Sequence, residues 1–517
     1  MLRSCRMPDR LWMIDNCGIP GTRTPEPHQM STNPTDRPNI LVIMSDQHSP
    51  HVIGCAGDDV VRTPILDQLA ADGIRFDATY CPSPVCCASR SSFMTGRYPT
   101  NTGVWCNSAM LNSSMPTWAH VLGLAGYETS LIGRMHFDGP DQYHGFENRP
   151  IGEFGARHPG APGGGERYPT GQGRNAIEAC GHGTTTYQWL DRRVADAACD
   201  YLQDRATSNR PFAAVVGFVL PHCPFIAPKE LFDYYHDRVT LPPQQDDHPP
   251  MIQDYLRPRK QADPPMDPKY VRGARAAYYG MCELMDELIG QVLSALESSG
   301  LAENTLVIYT SDHGEMVGEH SCWTKNVYYE ASARVPMLVR WPGVVKPGAV
   351  SDRVCNLVDI GPTLADIVGA EDVPDWDGRS LLPLLHGEET SWDNATKSEI
   401  VDTSINPPSP SRMLRRDQWK IWAHLDTDDQ LHVTLFDLNR DPDEMHDLAS
   451  DPQHQSTRDS LFTELMNGWD PQAARAITQQ KRKDFRLVSQ WGRVMQPRLP
   501  EQVPPPPADL EDDVVLV

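Results

Sequence analysis

The sequence has no long hydrophobic run. Nothing in its 517 residues approaches the ~20 consecutive apolar residues that a membrane-spanning helix needs, which excludes an integral membrane protein of that kind. No secretory leader is read at the start of the sequence either. The start, "MLRSCRMPDRLWMIDNCGIP", carries only the short apolar patch Leu11–Ile14, with neither an h-region nor a small-residue cleavage site. Positive charge is scarce: 46 Lys+Arg stand against 69 Asp+Glu, for a net charge of −23. A field of that sign argues against nucleic acid and against anionic membrane surfaces as partners, and an anionic substrate would need its own local cationic pocket. The thirteen cysteines form no C-x-x-C and no disulfide-framework spacing, and their number is odd. Without export they read as reduced thiols in a cytoplasmic protein. The sequons at Asn112 and Asn394 are then chance matches.

What is present is alternation. Residues 1–37, rich in Pro, Thr, Asn and Arg, have no periodicity and read as a disordered extension, within which Met30 would serve equally as a start. Order begins at "NILVIMSDQ" (39–47), a β-branched apolar run that stops at Asp46 and has the form of a buried parallel strand. The form recurs in "TSLIGRMHF" (129–137), "FAAVVGFVLPHCPF" (212–225), "TLVIYTSDHGE" (305–315) and "VPMLVRWPG" (335–343). Helical stretches lie between them; the clearest is 269–299, with Ala274, Ala277, Met281, Leu284, Leu288, Val292 and Leu296 on one face. The expectation is an α/β fold: a large mixed, mostly parallel sheet sandwiched by helices over 38–395, then a small C-terminal α+β module over 396–470. The Gly-rich segment 150–185 reads as a long irregular loop near the site, and 471–517 as a helix followed by an extended Pro-rich acidic tail.

Four of the apolar runs end in chemistry-bearing residues: Asp46 and Gln47, Arg134 and His136, His222, Asp312 and His313. Ligands of open α/β sheets bind outside the carboxyl ends of the strands, so these residues converge on one predicted site. Asp46, Gln47, Asp312 and His313 form a mostly hard donor set, suited to Ca²⁺, Mn²⁺ or Mg²⁺ rather than to a structural Zn²⁺.

The stretch "CPSPVCCASRSSFMTGRYP" (81–99) places three cysteines ahead of a predicted helix that starts over Ser89–Phe93 and ends at Gly96. A residue at the mouth of that helix feels the positive end of its dipole, and Arg90, four residues after Cys86, adds a fixed charge on the same side. Spacing alone makes Cys86 a nucleophile or a ligand beside an anion pocket.

"CCASRSSFMTGR" (86–97) resembles the sulfatase signature, Cys-x-Pro/Ala-Ser-Arg followed by x-x-x-Leu/Met-Thr-Gly-Arg/Lys. Only Cys86 is in register, with Ala at plus two, Ser at plus three and Arg at plus four; Cys81 and Cys87 are not. The resemblance runs from about residue 38 to 450, and "GRMHFDGPDQYHGFENR" is particularly similar to choline-sulfatase-like members. It implies a sulfuric ester hydrolase in which Cys86, oxidised to formylglycine (3-oxoalanine) by a formylglycine-generating enzyme, attacks sulfur as its hydrate and releases sulfate from a small organic ester. His222 or Lys325 would protonate the leaving alcohol and His136 would take the proton of the second hydroxyl. Arg90, Arg134 and Lys325 would balance charge on the sulfuryl oxygens, and Asn107 would contact substrate. Metal ligands would be Asp46, Gln47, residue 86, Asp312 and His313. In one respect the sequence departs from the family, which usually has lysine where Arg134 stands. His144 and His320 read as structural, and Trp105 and Trp323 as core or pocket rim.

Two other readings stand beside this one. The Asp-Gln and Asp-His pairs also occur in phosphonate monoester and phosphodiester hydrolases of the same superfamily. A non-catalytic metal-binding protein with an unmodified Cys86 is the reading of another class. A homo-oligomer built through the tail is compatible with each.

Overall fold

Asn39–Ser45 forms strand β1, and its apolar run is continuous because both of its faces are covered. Leu41 and Ile43 point to one core and Ile40, Val42 and Met44 to the other, the alternation a strand imposes. In this computed structural model, residues 37–153, 167–243, 245, 247–371, 373–388, 391–496, 503 and 506–517 are described. The predicted N-terminal extension, apart from Arg37, and the middle of the Gly-rich segment lie outside them.

The sheet that contains β1 has eight strands. The others are β2 (Ile74–Phe76), β3 (Glu128–Gly133), β4 (Asn148–Ile151), β5 (Phe212–Gly217), β6 (Thr305–Ser311), β7 (Met337–Arg340) and β8 (Ala349–Ser351). Their order is β8-β2-β7-β6-β1-β5-β3-β4. β1 lies parallel to both β5 and β6, β3 parallel to β5 and β4, and β7 runs against β6 and β2. The mixed, mostly parallel sheet is thus as expected.

Helices cover both faces. On one side α2 (Thr186–Arg205) and α3 (Pro268–Ser298) pack over Leu41, Ile43, Ala214, Val216, Val307 and Tyr309. All seven residues predicted for the apolar face of α3 are buried in that core. Its start is set by Asp267, whose side chain caps the amide of Lys269, and by Pro268 at the first helical position. On the other face lies α1 (Cys86–Thr95), through Phe93 and Met94. Gly96 ends α1 at φ 62°, as predicted, but the helix begins at Cys86 rather than Ser89 because Val85 is still extended at φ −146°.

The C-terminal module is an antiparallel meander of β9 (Ala395–Asp402), β10 (Ser409–Arg416), β11 (Trp419–Leu425) and β12 (Leu431–Asp437). One face packs on the helix Gln455–Met466 through Leu461 and Leu465; the other meets Tyr328 and Tyr329 of the main domain through Met413, Trp422 and Phe436. The helix α4 (Pro471–Met495) joins it through Arg475, which donates to the carbonyls of Pro408 and Leu425.

The expected extended tail requires correction. Val515–Leu516 pairs antiparallel with Gly181–His182, and Glu511 accepts from the backbone and hydroxyl of Thr186 at 3.0 Å. That carboxylate satisfies an orphan amide at the positive end of α2, which is why an acidic segment docks there. The segment 150–185 is also less irregular than expected, since Arg174–Glu178 is helical. No described helix is long and apolar enough to cross a membrane.

Candidate active site

The carboxyl ends of β1, β3, β5 and β6 bring the predicted residues to one place. Asp46 follows β1, Arg134 and His136 follow β3, His222 lies in the turn after β5, and Asp312 and His313 follow β6. Gly217 makes the approach of two of these segments workable. A Cβ there would lie 1.8 Å from the Arg134 carbonyl, so only glycine lets the chain after β3 bend over the end of β5. Gln47 and His136 themselves sit in left-handed backbone, at φ 72° and 54°. Such conformations in residues other than glycine store strain of about 1–3 kcal/mol and are characteristic of functional sites.

Cys86 occupies the first position of α1 and is 1% exposed. Its Sγ lies 3.1 Å from Lys325 Nζ, 3.2 Å from His313 Nε2 and 3.6 Å from Asp46 Oδ1. Donor atoms of Asp46, Cys86, Asp312 and His313 all fall within 4.8 Å of one another, and all four residues are buried. The imidazole explains what this cluster suits. His313 Nδ1 faces the Gly314 carbonyl at 3.0 Å and so carries the proton, leaving a lone pair on Nε2. That nitrogen is 3.5 Å from Asp312 and 3.8 Å from Asp46. Burial, ahead of the opposing pull of Asp312, keeps the ring below its usual pKa and therefore neutral. A lone pair turned toward two carboxylates is unfavourable alone and is resolved by a cation among them, so the residues fit a divalent metal.

The charge of the carboxylates is held by cations. Burial opposes ionisation of Asp46, but the charges of Arg134, Lys325, His222 and Arg90 outweigh it and keep the acid well below its ordinary range. Lys325 stays an ammonium: burial works against its charge, while Cys86, Asp46 and Asp312 raise its pKa. Its Nζ donates to Gln47 Oε1 at 2.5 Å as well as to Cys86. Gln47 Nε2 in turn donates to the buried carboxylate of Glu315, which also accepts from the amides of Val317 and Thr324 and thereby shapes the loop carrying Lys325.

The two arginines stand behind the carboxylates. Arg90 is fully buried; its Nε donates to Asp312 Oδ2 at 2.8 Å, Nη1 to the Arg134 carbonyl at 3.1 Å, and Nη2 to the Ser45 carbonyl and Asp46 Oδ2. Arg134 donates from Nε to Asp46 Oδ2 at 2.6 Å, from Nη1 to Glu153 Oε2 at 3.0 Å and from Nη2 to His136 Nδ1 at 2.9 Å. These bonds hold both guanidinium groups to protein acceptors and leave Arg134 with N–H donors beyond the three named. Asn107, expected to touch substrate, uses Oδ1 to accept from the Cys87 amide at 3.1 Å, which satisfies a free N–H at the start of α1.

His222 Nδ1 donates to the Cys223 carbonyl at 2.6 Å, which leaves Nε2 for proton exchange. The turn that carries it is held by Asp191, whose carboxylate accepts from the amides of Val219 and Leu220. Cys87 contacts the His136 carbonyl and burial pushes its thiol up; Cys81 is likewise buried, and the cysteines among the described residues are free. Trp105 donates to Glu399 and Trp323 packs on Phe225, both in the core, while His320 stacks on Tyr329.

Sequence reasoning missed Glu153, Glu315 and Asp191. Glu153 and Asp191 lie in segments without a motif, Glu315 ends the run 305–315 without being singled out, and only the fold shows that each carboxylate collects backbone amides beside the site.

Comparison with known proteins agrees with this geometry. The family model described as "Sulfatase" matches residues 38–370, and that of "N-sulphoglucosamine sulphohydrolase, C-terminal" matches 318–469. The chain is 34% identical to choline-sulfatase of Rhizobium meliloti over 468 residues, covering 85% of this chain and 88% of that protein. It is 30% identical to arylsulfatase K of Bos taurus over 481 residues, covering 87% and 85%. The phosphonate monoester hydrolase of Agrobacterium radiobacter shares the fold, with a TM-score of 0.70 at 24% identity over 86% of this chain and 96% of that one. With its signature cysteine at the mouth of α1 and the family model spanning most of its length, the chain belongs to the sulfatase family.

Proposed function

We propose that the protein is a sulfuric ester hydrolase that acts on a small organic sulfate ester through a formylglycine derived from Cys86, with a divalent cation (Ca²⁺, Mn²⁺ or Mg²⁺) held by Asp46, Asp312, His313 and residue 86. Gln47 offers an amide oxygen at the same edge, now taken by Lys325. The observation that carries this reading is the position of the Cys86 Sγ, within 3.6 Å of a lysine, an imidazole and a carboxylate at a helix N-terminus. The Cys86 sulfur marks where the hydroxyls of the hydrated aldehyde would lie; the aldehyde would supply a nucleophile that can later expel sulfate, and a cation held by Asp46, Asp312 and His313 would supply Lewis-acid activation of that hydroxyl.

The chain's own groups supply the rest. The amides at the start of α1 favour negative charge beside residue 86. Lys325, kept as an ammonium, stabilises charge where nucleophile and sulfur meet. His222, with Nδ1 tied to a carbonyl, presents Nε2 for protonating the leaving alcohol. Arg90 and Arg134 hold the carboxylates in place and keep them ionised.

The reading is tested by expressing the chain with a formylglycine-generating enzyme. Peptide mass spectrometry over residue 86 should find the aldehyde in place of the thiol. Kinetics on choline sulfate, an aryl sulfate, a phosphodiester and a phosphonate monoester should favour a sulfate ester. A preference for either phosphorus ester would overturn the substrate class, and an unmodified thiol without hydrolysis would overturn the enzyme reading. A cytoplasmic setting, in which the thiols remain reduced, is part of the proposal.

A further inference from the structure

The turn that carries His222 is gripped twice by α2. Asp191 fixes its backbone by accepting the amides of Val219 and Leu220. The Tyr187 ring meets the imidazole itself, edge to face, with centroids 5.9 Å apart and planes at 74°. The two residues stand four apart on one helix, so they share a face and act on the turn together. Tyr187 is half-buried and bears on the site from its rim. Burial works against the charge of Arg134, Asp46, Glu153 and Cys86 outweigh it, and the Tyr187 phenol adds to them. Tyr187 also belongs to the first turn of α2, which the C-terminal segment holds. Glu511 Oε1 accepts the amide and the hydroxyl of Thr186, each at 3.0 Å, and Oε2 accepts the Arg167 amide at 3.1 Å. Asp513 accepts the amide and hydroxyl of Thr184 at 2.9 and 3.0 Å. Beyond it Val515–Leu516 pairs with Gly181–His182, so closely that a Cβ on Gly181 would lie 2.1 Å from the Val515 carbonyl oxygen. On the other side the Cys223 thiol donates to the Thr170 carbonyl. Residues 167–187 are thus clamped between the end of the chain and the His222 turn.

We propose that Tyr187 is a positioning residue for His222, kept in place by the C-terminal segment 511–516, so that the far end of the chain governs proton transfer to the leaving group. The role in proton transfer rests on the sulfatase reading; the clasp on α2 does not. With Nδ1 bound to the Cys223 carbonyl, the imidazole can still swing about that bond, and the Tyr187 edge closes off the swing. A proton donor works only within hydrogen-bond reach of the departing oxygen, so a small displacement of Nε2 forfeits it.

Leaving groups separate positioning from a general loss of structure. Phenyl sulfate and 4-nitrophenyl sulfate share a ring, but phenolate needs the proton far more than 4-nitrophenolate does. In the matured enzyme Tyr187→Leu should lower kcat/KM for phenyl sulfate by roughly tenfold, a share of the 10²–10⁴ that general acid catalysis contributes, and for 4-nitrophenyl sulfate by about threefold or less. Tyr187→Phe keeps the ring edge and should keep the wild-type ratio between the two esters. In a His222→Ala background the leucine change should add little on either ester, because it acts through the imidazole. Equal loss on both esters, or an undiminished loss without His222, overturns the positioning role. The clasp is read in the unmatured protein by hydrogen exchange. Glu511→Ala should speed exchange across 181–190 by about fivefold, the worth of one lost helix cap, and after maturation should shift the ester ratio in the same direction as Tyr187→Leu. Unchanged exchange in the folded variant overturns the clasp, and faster exchange with an unchanged ratio overturns its link to His222. A matured wild type that cleaves neither ester, while exchange responds as expected, sinks the sulfatase reading and leaves the clasp standing.

Discussion

Replacing Arg90 by methionine separates a structural counter-charge from a group that reaches the ester. The guanidinium is buried between Asp312 and Asp46, at 2.8 and 3.3 Å, with two backbone carbonyls taking further donors. Methionine keeps an unbranched apolar stem and removes the charge. Losing one partner of a buried ion pair costs about 3–5 kcal/mol, because the other charge is left uncompensated. Asp46 retains Arg134 at 2.6 Å and Lys325 at 3.8 Å, so most of the loss falls on Asp312, and about 3 kcal/mol is expected. The assay is urea unfolding followed by tryptophan fluorescence, on unmatured protein in a chelator and again with a saturating divalent cation. The variant should be destabilised by that amount in the chelator, and the gap should narrow with the cation, which restores positive charge to the native state alone. Arg90→Lys keeps the charge but not the fork, and should lose about 1.5–3 kcal/mol, one charge-assisted hydrogen bond. A methionine variant as stable as wild type in the chelator, yet with kcat/KM abolished after maturation, would show that Arg90 serves the ester and would refute the reasoning.

Other consequences are open to the same instruments. Gly217→Ala sets a methyl 1.8 Å from the Arg134 carbonyl and should destabilise the fold by about 1–3 kcal/mol or more, with a fall in activity as Arg134 shifts; an unperturbed melting profile would refute it. Buried His48 has its pKa lowered from 6.5 to about 4, by burial against a smaller opposing bond to the Val52 carbonyl. The unfolded chain therefore binds the extra proton first, and stability should fall as pH drops from 6.5 toward 4, by about 3 kcal/mol from this residue. His48→Gln should flatten that acid limb in urea midpoints measured against pH; an equally steep limb would count against the assignment. Dialysis against a chelator should abolish hydrolysis by the matured enzyme, and Asp312→Asn should raise the cation concentration needed to restore it; activity that survives exhaustive chelation would refute metal use.

The parallel strands were legible because burial on both faces favours apolar residues along them. β1 and β6 carry the apolar runs Ile40–Met44 and Leu306–Tyr309, and the first charged side chain after each is Asp46 or Asp312. The apolar face of α3 was legible for a related reason: seven positions at helical spacing all meet one core. The return of the C-terminus was not. Composition made the Pro-rich acidic end of 471–517 read as an extended tail, and nothing local shows that Glu511 accepts the Thr186 amide at a helix start more than three hundred residues earlier in the chain.

The site divides along the same line. Residue types that carry chemistry could be placed from strand ends and from the register of Cys86, since both are local patterns. What each group does could not, because a role follows from where its hydrogen bonds go. Arg90 and Arg134 look alike from sequence as cations near an anion pocket; the structure aims both at Asp46, one reaching on to Asp312 and the other to Glu153. His136 and His222 also look alike, yet they are set in opposite senses. Nδ1 of His136 accepts from a guanidinium, while Nδ1 of His222 donates to a carbonyl. A ring whose Nδ1 accepts presents a donor at its other nitrogen, and a ring whose Nδ1 donates presents a lone pair or, once protonated, an acid. The difference is created by the Arg134 guanidinium on one ring and by the Cys223 carbonyl on the other, so the opposite hydrogen-bonding senses of the two imidazoles are a property of the fold.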